Sequence, residues 1–141
     1  MIEEAVRISV PPATVQAIYM EVDNWSKWDP DTRSASLDGP FQVGSTGLLT
    51  PTKGFPVTMM LTEVAHERGF TAECKAPLCI MRFEHELTPI DGGVLAVHRV
   101  TFSGPLAILF RRLVGTQVRL GLPVTMQGLK RYAEQRQHAA A

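Results

Sequence analysis

Between Thr32 and Ser103 the chain consists of short β-rich segments separated by turn signals, and this pattern limits its possible folds more than any other feature. The turn signals are Asp38-Gly39-Pro40, Lys53-Gly54, Glu67-Arg68-Gly69, Ala76-Pro77 and Asp91-Gly92-Gly93. Short strands joined by such turns predict an antiparallel meander. After Gly104-Pro105 the apolar residues follow a helical period instead, so we expect an α+β fold in which a curved sheet is followed by a long helix.

The segment before the meander predicts one strand and two short helices. Residues 2–10 alternate and are rich in β-branched side chains, and Pro11-Pro12 ends this strand and suits the first turn of a helix. The apolar face of that helix comprises Val15, Ile18, Tyr19 and Val22. Asn24 can cap a second short helix, which Pro30 ends.

The C-terminal helix is expected to cover the concave face of the sheet with one apolar stripe. We assign to this stripe Leu106, Leu109, Phe110, Leu113, Val114 and Gln117. Pro123 lies inside the segment and predicts a bend, because Leu129 and Tyr132 resume the apolar face beyond it.

The composition argues against several classes of protein and of binding partner. The 141 residues, 45% of them hydrophobic, suit a single domain over 1–141. Fourteen basic residues balance fourteen acidic ones, so no overall field attracts nucleic acid or an anionic membrane. No apolar run is long enough for integral membrane association, and no targeting segment is recognised, so we expect a cytoplasmic protein. Phosphate-loop, hydrolase and metal motifs are missing, so we expect no metal and no cofactor.

Two histidines are the main candidates for chemistry. Asp91-Gly92 predicts a hairpin with a type I′ turn, and counting back along both strands places His85 directly opposite His98 on the inner face. The alternation of inward and outward residues is compatible with this pairing or with one shifted by two residues. Burial and mutual repulsion should keep both imidazoles neutral at pH 7. Each is either a core residue satisfied by a neighbour or part of a polar spot, which could bind a ligand oxygen or act as general acid and base.

Further candidate ligand contacts come from the expected inner faces of the sheet and helix. They are Trp28, Met60, Phe70, Cys74, Met81, Phe83, Val100, Phe102, Phe110, Leu113 and Gln117, in addition to the two histidines. Trp25 and Trp28 either close the mouth of a cavity or pack the short helix onto the sheet. The flexible methionines either line an adaptable pocket or fill gaps in the core.

Two segments carry a resemblance to a known family: residues 23–30, Asp-Asn-Trp-Ser-Lys-Trp-Asp-Pro, and residues 97–106, Val-His-Arg-Val-Thr-Phe-Ser-Gly-Pro-Leu. With the order of elements, they resemble the START-like, or SRPBCC, superfamily, in particular its polyketide cyclase/dehydrase and lipid-transport family. The resemblance implies a helix-grip fold: about seven antiparallel strands wrapped around the long C-terminal helix, with a cavity between them.

The implied function is binding of a hydrophobic small molecule such as a lipid, polyketide or terpenoid. The alternative is a polyketide cyclase or aromatase that uses His85 and His98, and a third hypothesis is a structural dimer module with a filled interior. A homodimer is compatible with each of these hypotheses.

Overall fold

The computed structural model describes residues 1–140 and contains one sheet and two α-helices. The elements are β1 (Ile2–Ile8), α1 (Pro12–Met20), a 3₁₀ helix (Val22–Lys27), β2 (Thr32–Leu37), β3 (Thr46–Pro51), β4 (Val57–Ala65), β5 (Gly69–Ala76), β6 (Cys79–Ile90), β7 (Gly93–Ser103) and α2 (Ala107–Ala140). The seven strands are antiparallel in the order β1-β7-β6-β5-β4-β3-β2. The helix-grip prediction is therefore confirmed, including the two short helices after the first strand.

The β6–β7 hairpin has the register predicted from sequence, although its turn is of another type. Ile90 pairs with Gly93, and His85 pairs with His98. Gly92 has a φ of 78°, whereas Asp91 is not among the described non-glycine residues with positive φ. A type I′ turn needs positive φ at both central positions, so the predicted turn type was wrong. The two-residue loop alone sets the pairing.

The inner face of β4 differs from the expectation at one methionine. Met59 pairs with Cys74 and is buried, whereas Met60 pairs with Glu73 and lies on the outer face. The prediction that Met60 lines the concave side was therefore wrong. Met59, Met60 and Leu61 are three consecutive apolar residues, so the strand shows no alternation here. The sequence alone therefore could not tell which of them point to the inner face.

Helix α2 packs on β1 and β7 with a stripe different from the predicted one. The inward positions are Ala107, Phe110, Val114, Val118, Leu122, Met126, Leu129 and Ala133. Leu109, Gln117 and Leu113, which is 67% exposed, lie outside this stripe, so their expected contact with the sheet is corrected. The first turns of α2 carry apolar residues on more than one side, and periodicity could not tell the packed side from the free one. The helix continues through Pro123.

Two polar side chains connect the short elements to the rest of the structure. The amide nitrogen of Gln16 donates to the carbonyl of Ala65, and its oxygen accepts from the backbone N–H of Gly69, 2.9 Å away. The carboxylate of Asp29 accepts from the hydroxyls of Thr32 and Thr125, at 2.8 and 2.9 Å. These contacts attach α1 to the β4–β5 turn, and the segment after the 3₁₀ helix to α2.

Helix α2 makes a close backbone contact with the Trp28 segment at Gly128. A Cβ added there would lie 2.2 Å from the backbone carbonyl oxygen of Trp28, far inside contact distance. By contrast, a Cβ at Gly115 in the same helix would lie 3.5 Å from the flexible Arg111 side chain. The missing side chain at Gly128 therefore allows the helix to lie directly against Trp28.

We expect Gly128→Ala to lower the free energy of unfolding by about 1–3 kcal/mol, because a backbone carbonyl cannot move aside without shifting the segment around it. Gly115→Ala is the matched control and should leave it unchanged or raise it by up to about 1 kcal/mol through helix propensity. Urea denaturation of both variants measures the difference. Equal stability of the two would contradict the close contact between α2 and Trp28.

Candidate functional site

The inner face of β6 is only partly covered. Met81, Phe83 and His85 face the concave side, because each pairs with an inward residue of β7. Those partners are Phe102, Val100 and His98, all buried, whereas the three β6 residues are half-buried. Met81 and Phe83 also contact both apolar clusters of the interior. We call the partly covered inner surface formed by Met81, Phe83 and His85 the β6 cleft.

The inner end of the β6 cleft is a compact group of aromatic and polar side chains. The hydroxyl of Tyr19 and Nε2 of His98 are 2.7 Å apart and buried. The rings of His85 and His98 contact edge to face, with centroids 4.4 Å apart, and Phe70 stacks on His85 at 4.0 Å. Helix α1 brings Tyr19 into this group, which therefore joins the helix to strands β5, β6 and β7.

All three titratable groups of this cluster are neutral at pH 7. Burial lowers the pKa of His85 to about 4. Its hydrogen bonds to backbone carbonyls favour the charged form, but their effect on the pKa is smaller than that of burial. Burial, and then the neighbouring His85, hold the pKa of His98 well below its usual value. Burial raises the pKa of the Tyr19 phenol. The cluster is therefore a set of uncharged donors and acceptors.

The tautomer of His85 follows from its backbone contact. Its Nδ1 lies 3.2 Å from the carbonyl oxygen of Phe70, and a carbonyl only accepts, so Nδ1 carries the proton. In the neutral ring Nε2 is then an acceptor.

The indole of Trp28 supplies a donor without a partner. Its Nε1–H is buried and forms no hydrogen bond with the described residues. The ring lies 6.1 Å from Tyr19 and 6.3 Å from His98, centroid to centroid. An unpaired buried N–H costs about 1–3 kcal/mol. The indole donor of Trp28 and the acceptor Nε2 of His85 thus belong to the same group of rings around the Tyr19–His98 pair.

The structure brings most of the candidate ligand contacts together on the concave side. They are Trp28, Phe70, Cys74, Met81, Phe83, His85, His98, Val100, Phe102 and Phe110. Met60, Leu113 and Gln117 are not among them. Burial raises the pKa of the Cys74 thiol to about 12, so this residue contributes apolar surface and no nucleophile at neutral pH.

The sequence did not lead us to predict the hydrogen bond of Tyr19, which the pattern assigns only to the apolar face of a helix. The signal was the hydroxyl itself, because a buried tyrosine needs a hydrogen-bond partner and the inner face offered two histidines. Of the alternatives for Trp25 and Trp28, packing of the short helix describes the observed state: both are buried, and Trp25 donates to the carbonyl of Tyr19 at 2.9 Å.

An enclosed cavity between sheet and helix stays a prediction. Two surface depressions, of about 650 and 300 Å³, lie away from the histidines. The larger is bordered by Ser9 and the end of α2, and the smaller by the 3₁₀ helix and Phe41. The concave side around Tyr19 is instead filled by its aromatic neighbours. A ligand entering along β6 would have to move some of these side chains.

The neutral histidines predict a dependence of stability on pH. The unfolded chain takes up protons below about pH 6.5 while the folded chain does not, so the free energy of unfolding should fall from pH 6.5 to about 4. The expected loss is up to about 1.4 kcal/mol per pH unit for each histidine. Urea denaturation of the parent and of His85→Gln across this range should show a shallower slope in the variant. His66→Gln, an exposed control, should keep the parental slope, and an unchanged slope in His85→Gln would contradict the burial of its imidazole.

Solved structures with the same fold include aromatase/cyclases. The Zhui aromatase/cyclase from Streptomyces sp. R1128 is 15% identical, with a TM-score of 0.78, and the match covers 99% of this chain and 96% of that one. The di-domain ARO/CYC StfQ from the steffimycin biosynthetic pathway is 14% identical, with a TM-score of 0.77, covering 97% of this chain and 51% of that one. Protein NE0264 from Nitrosomonas europaea is 18% identical, with a TM-score of 0.74, covering 96% and 94%. At these identities the likeness shows the fold.

No match is found among curated proteins. The family model described as "Polyketide cyclase / dehydrase and lipid transport" matches residues 1–134, nearly the whole chain. This match identifies the chain as a member of the polyketide cyclase/dehydrase and lipid transport family.

Proposed function

We propose that the protein binds an apolar small molecule that carries a hydroxyl or carbonyl oxygen, in the β6 cleft. The observation that carries this proposal is the half-buried row of Met81, Phe83 and His85, which leads from solvent to the neutral Tyr19–His98 pair. Large apolar side chains on an incompletely covered inner face are typical of ligand sites, which are mostly apolar with a few placed polar groups.

The apolar walls supply most of the expected affinity. A ligand that loses about 300 Å² of apolar surface in the cleft gains on the order of 7 kcal/mol before association costs. A Kd of about 1 µM needs a net gain of about 8 kcal/mol, so the polar contacts at the inner end of the cleft have to add to the apolar contribution. No charged side chain belongs to the cluster, so an ionic ligand would lose its hydration without compensation.

The polar end of the cleft supports a ligand oxygen. Nε2 of His85 can accept from a hydroxyl, and Nε1–H of Trp28 can donate to a carbonyl or hydroxyl oxygen. A pure hydrocarbon would leave both groups unpaired. A phenol, sterol or polyketide-like molecule fits this combination better than a saturated chain does.

A polyketide cyclase or aromatase is the second candidate. Two histidines in direct contact, next to a tyrosine, could in principle hold and protonate a poly-β-ketone, and two structural neighbours are named aromatase/cyclases. However, a general base works best with a pKa near the operating pH, and the pKa of His85 is about 4. We therefore place binding first and assign the histidines to hydrogen bonding.

Binding is tested with a matched pair of fluorescent probes, a naphthol and the corresponding naphthalene. The naphthol should bind the folded protein about 3- to 10-fold more tightly, since a hydrogen bond contributes about 0.5–1.5 kcal/mol. Met81→Glu should abolish saturable binding, because it places a charge on the inner face. Met60→Glu is its control on the outer face and should leave binding intact. Equal loss in both variants, or no saturable binding by the parent, would contradict the β6 cleft as the site.

The enzymatic alternative is tested by incubating the protein with an aromatic poly-β-ketone thioester mimic and analysing products by mass spectrometry. We expect the mimic to bind and be recovered unchanged. If cyclisation is seen and falls about 100-fold or more in both His85→Gln and His98→Gln, the histidines act in catalysis and the ranking of the two functions reverses.

A further inference from the structure

The strand register places three connecting segments at one end of the sheet. Leu49 pairs with Val57, Ala76 with Cys79, and Ile80 with Ser103. The β3–β4 turn, the β5–β6 turn and the start of α2 therefore lie side by side. We call this the α2 end, and the other end, with the β2–β3, β4–β5 and β6–β7 turns, the opposite end.

Each of the three segments at the α2 end exposes a large apolar side chain. Phe55 in the β3–β4 turn is 86% exposed, Leu78 in the β5–β6 turn is 64% exposed, and Ile108 in the first turn of α2 is 66% exposed. The carbonyl of Leu78 accepts from the backbone N–H of Leu106, so the last two segments are in direct contact. Because these three large residues lie on adjacent segments, they form an apolar patch and not a set of isolated exposed side chains.

The apolar surface continues along the outer side of α2. Leu109, Leu113, Leu120 and Val124 are spaced by four, seven and four residues, which places them on one helix face. All four are exposed, and this face points away from the stripe that packs on the sheet. The first half of α2 is thus apolar on two sides, of which one has no partner within residues 1–140.

The same surface is basic although the chain has no net charge. Residues 92–133 contain no Asp or Glu, and in this span Arg111, Arg112 and Arg119 are exposed on α2. None of the three arginines forms an ion pair with the residues that the structure describes. Ile108, Arg112 and Arg119 share a helix row beside the leucines.

Two glutamates near the α2 end are already in ion pairs. Glu73 is paired with Arg82 at 3.1 Å. Glu3 is ion-paired with Arg99. The turns of the opposite end carry Asp38, Glu67 and Asp91, all exposed. In the part of the chain that the structure describes, the α2 end therefore carries exposed arginines without paired acids, although the chain as a whole has no net charge.

We propose that the α2 end and the outer face of α2 dock on the surface of an anionic lipid bilayer. Exposed Phe and Leu side chains flanked by arginines are the combination that binds the interface of such membranes. A second copy of this chain fits less well, because a symmetric contact would bring six unpaired arginines together without an acid between them. No helix within the described residues is long and apolar enough to cross a bilayer, so the attachment is peripheral.

Docking in this orientation would present the β6 cleft to the lipid phase. Met81 lies near the beginning of β6, at the α2 end, and His85 lies further from it along the same inner row. An apolar ligand could then pass between bilayer and cleft with little exposure to water. This transfer step rests on the proposed function, whereas docking itself rests on the exposed residues.

Co-sedimentation with vesicles tests the docking. The parent should bind vesicles of phosphatidylcholine and phosphatidylserine in a ratio of about 7:3 and should not bind phosphatidylcholine alone. Binding should weaken at least severalfold when salt is raised from about 0.1 M to about 0.5 M. No binding to the anionic vesicles, or equal binding to both lipids, would overturn the proposal.

Paired variants locate the surface. The double change Arg112→Gln and Arg119→Gln, and separately Phe55→Ser with Leu109→Gln, should each weaken vesicle binding about tenfold or more. The controls Arg68→Gln and Val43→Ser remove an exposed cation and an exposed apolar side chain at the opposite end and should retain binding. Near-UV circular dichroism verifies that all variants are folded. Equal effects of test and control variants would overturn the assignment of the surface.

Two measurements distinguish membrane docking from dimerisation and from ligand binding in the β6 cleft. If sedimentation equilibrium shows a dimer that the substitution Leu113→Gln dissociates, while the parent does not bind vesicles, the apolar face is an interface between two copies of the chain. In that case the docking proposal is wrong. The naphthol titration in the absence of lipid reports on the β6 cleft alone. Vesicle binding without probe binding would support docking and reject the proposed function, and the reverse result would reject docking only.

Discussion

Tyr19 holds together parts of the chain that are far apart in sequence. Its hydroxyl contacts His98 on β7, its backbone carbonyl accepts from the indole of Trp25, and its ring packs on Phe70 and His85. A buried phenol without a partner would cost about 1–3 kcal/mol, so the position of α1 and the presence of a histidine at 98 are mutually dependent. The concave side of the sheet is organised around this one hydrogen bond.

Helix α2 divides into two halves with different physical roles. The second half is buried through Met126, Leu129 and Ala133, and Gly128 brings its backbone directly against Trp28. The first half contributes a narrow stripe to the sheet and leaves apolar residues in water. A helix anchored at one half and loosely covered at the other leaves room for access along β6, because local opening requires few buried contacts to be broken.

The sequence predicted topology and register well because both depend on local, alternating signals. Asp91-Gly92 and the parity of the two flanking strands suffice to pair His85 with His98, even though the turn type was wrong. Where apolar residues occur on consecutive positions the signal was lost, as at Met59-Met60 and in the first turns of α2. The role of Tyr19 depends on a contact across 79 residues of chain, which no local pattern encodes.

The neutral cluster also favours binding over catalysis on energetic grounds. A charged intermediate at His85 would have to overcome the same desolvation that holds its pKa near 4, and no carboxylate contacts the ring to compensate. By contrast, a neutral donor and acceptor bind a ligand oxygen without any change of charge, and burial strengthens the hydrogen bonds formed. The residues that make this site a weak proton-transfer centre therefore make it a good site for an uncharged, oxygen-bearing apolar molecule.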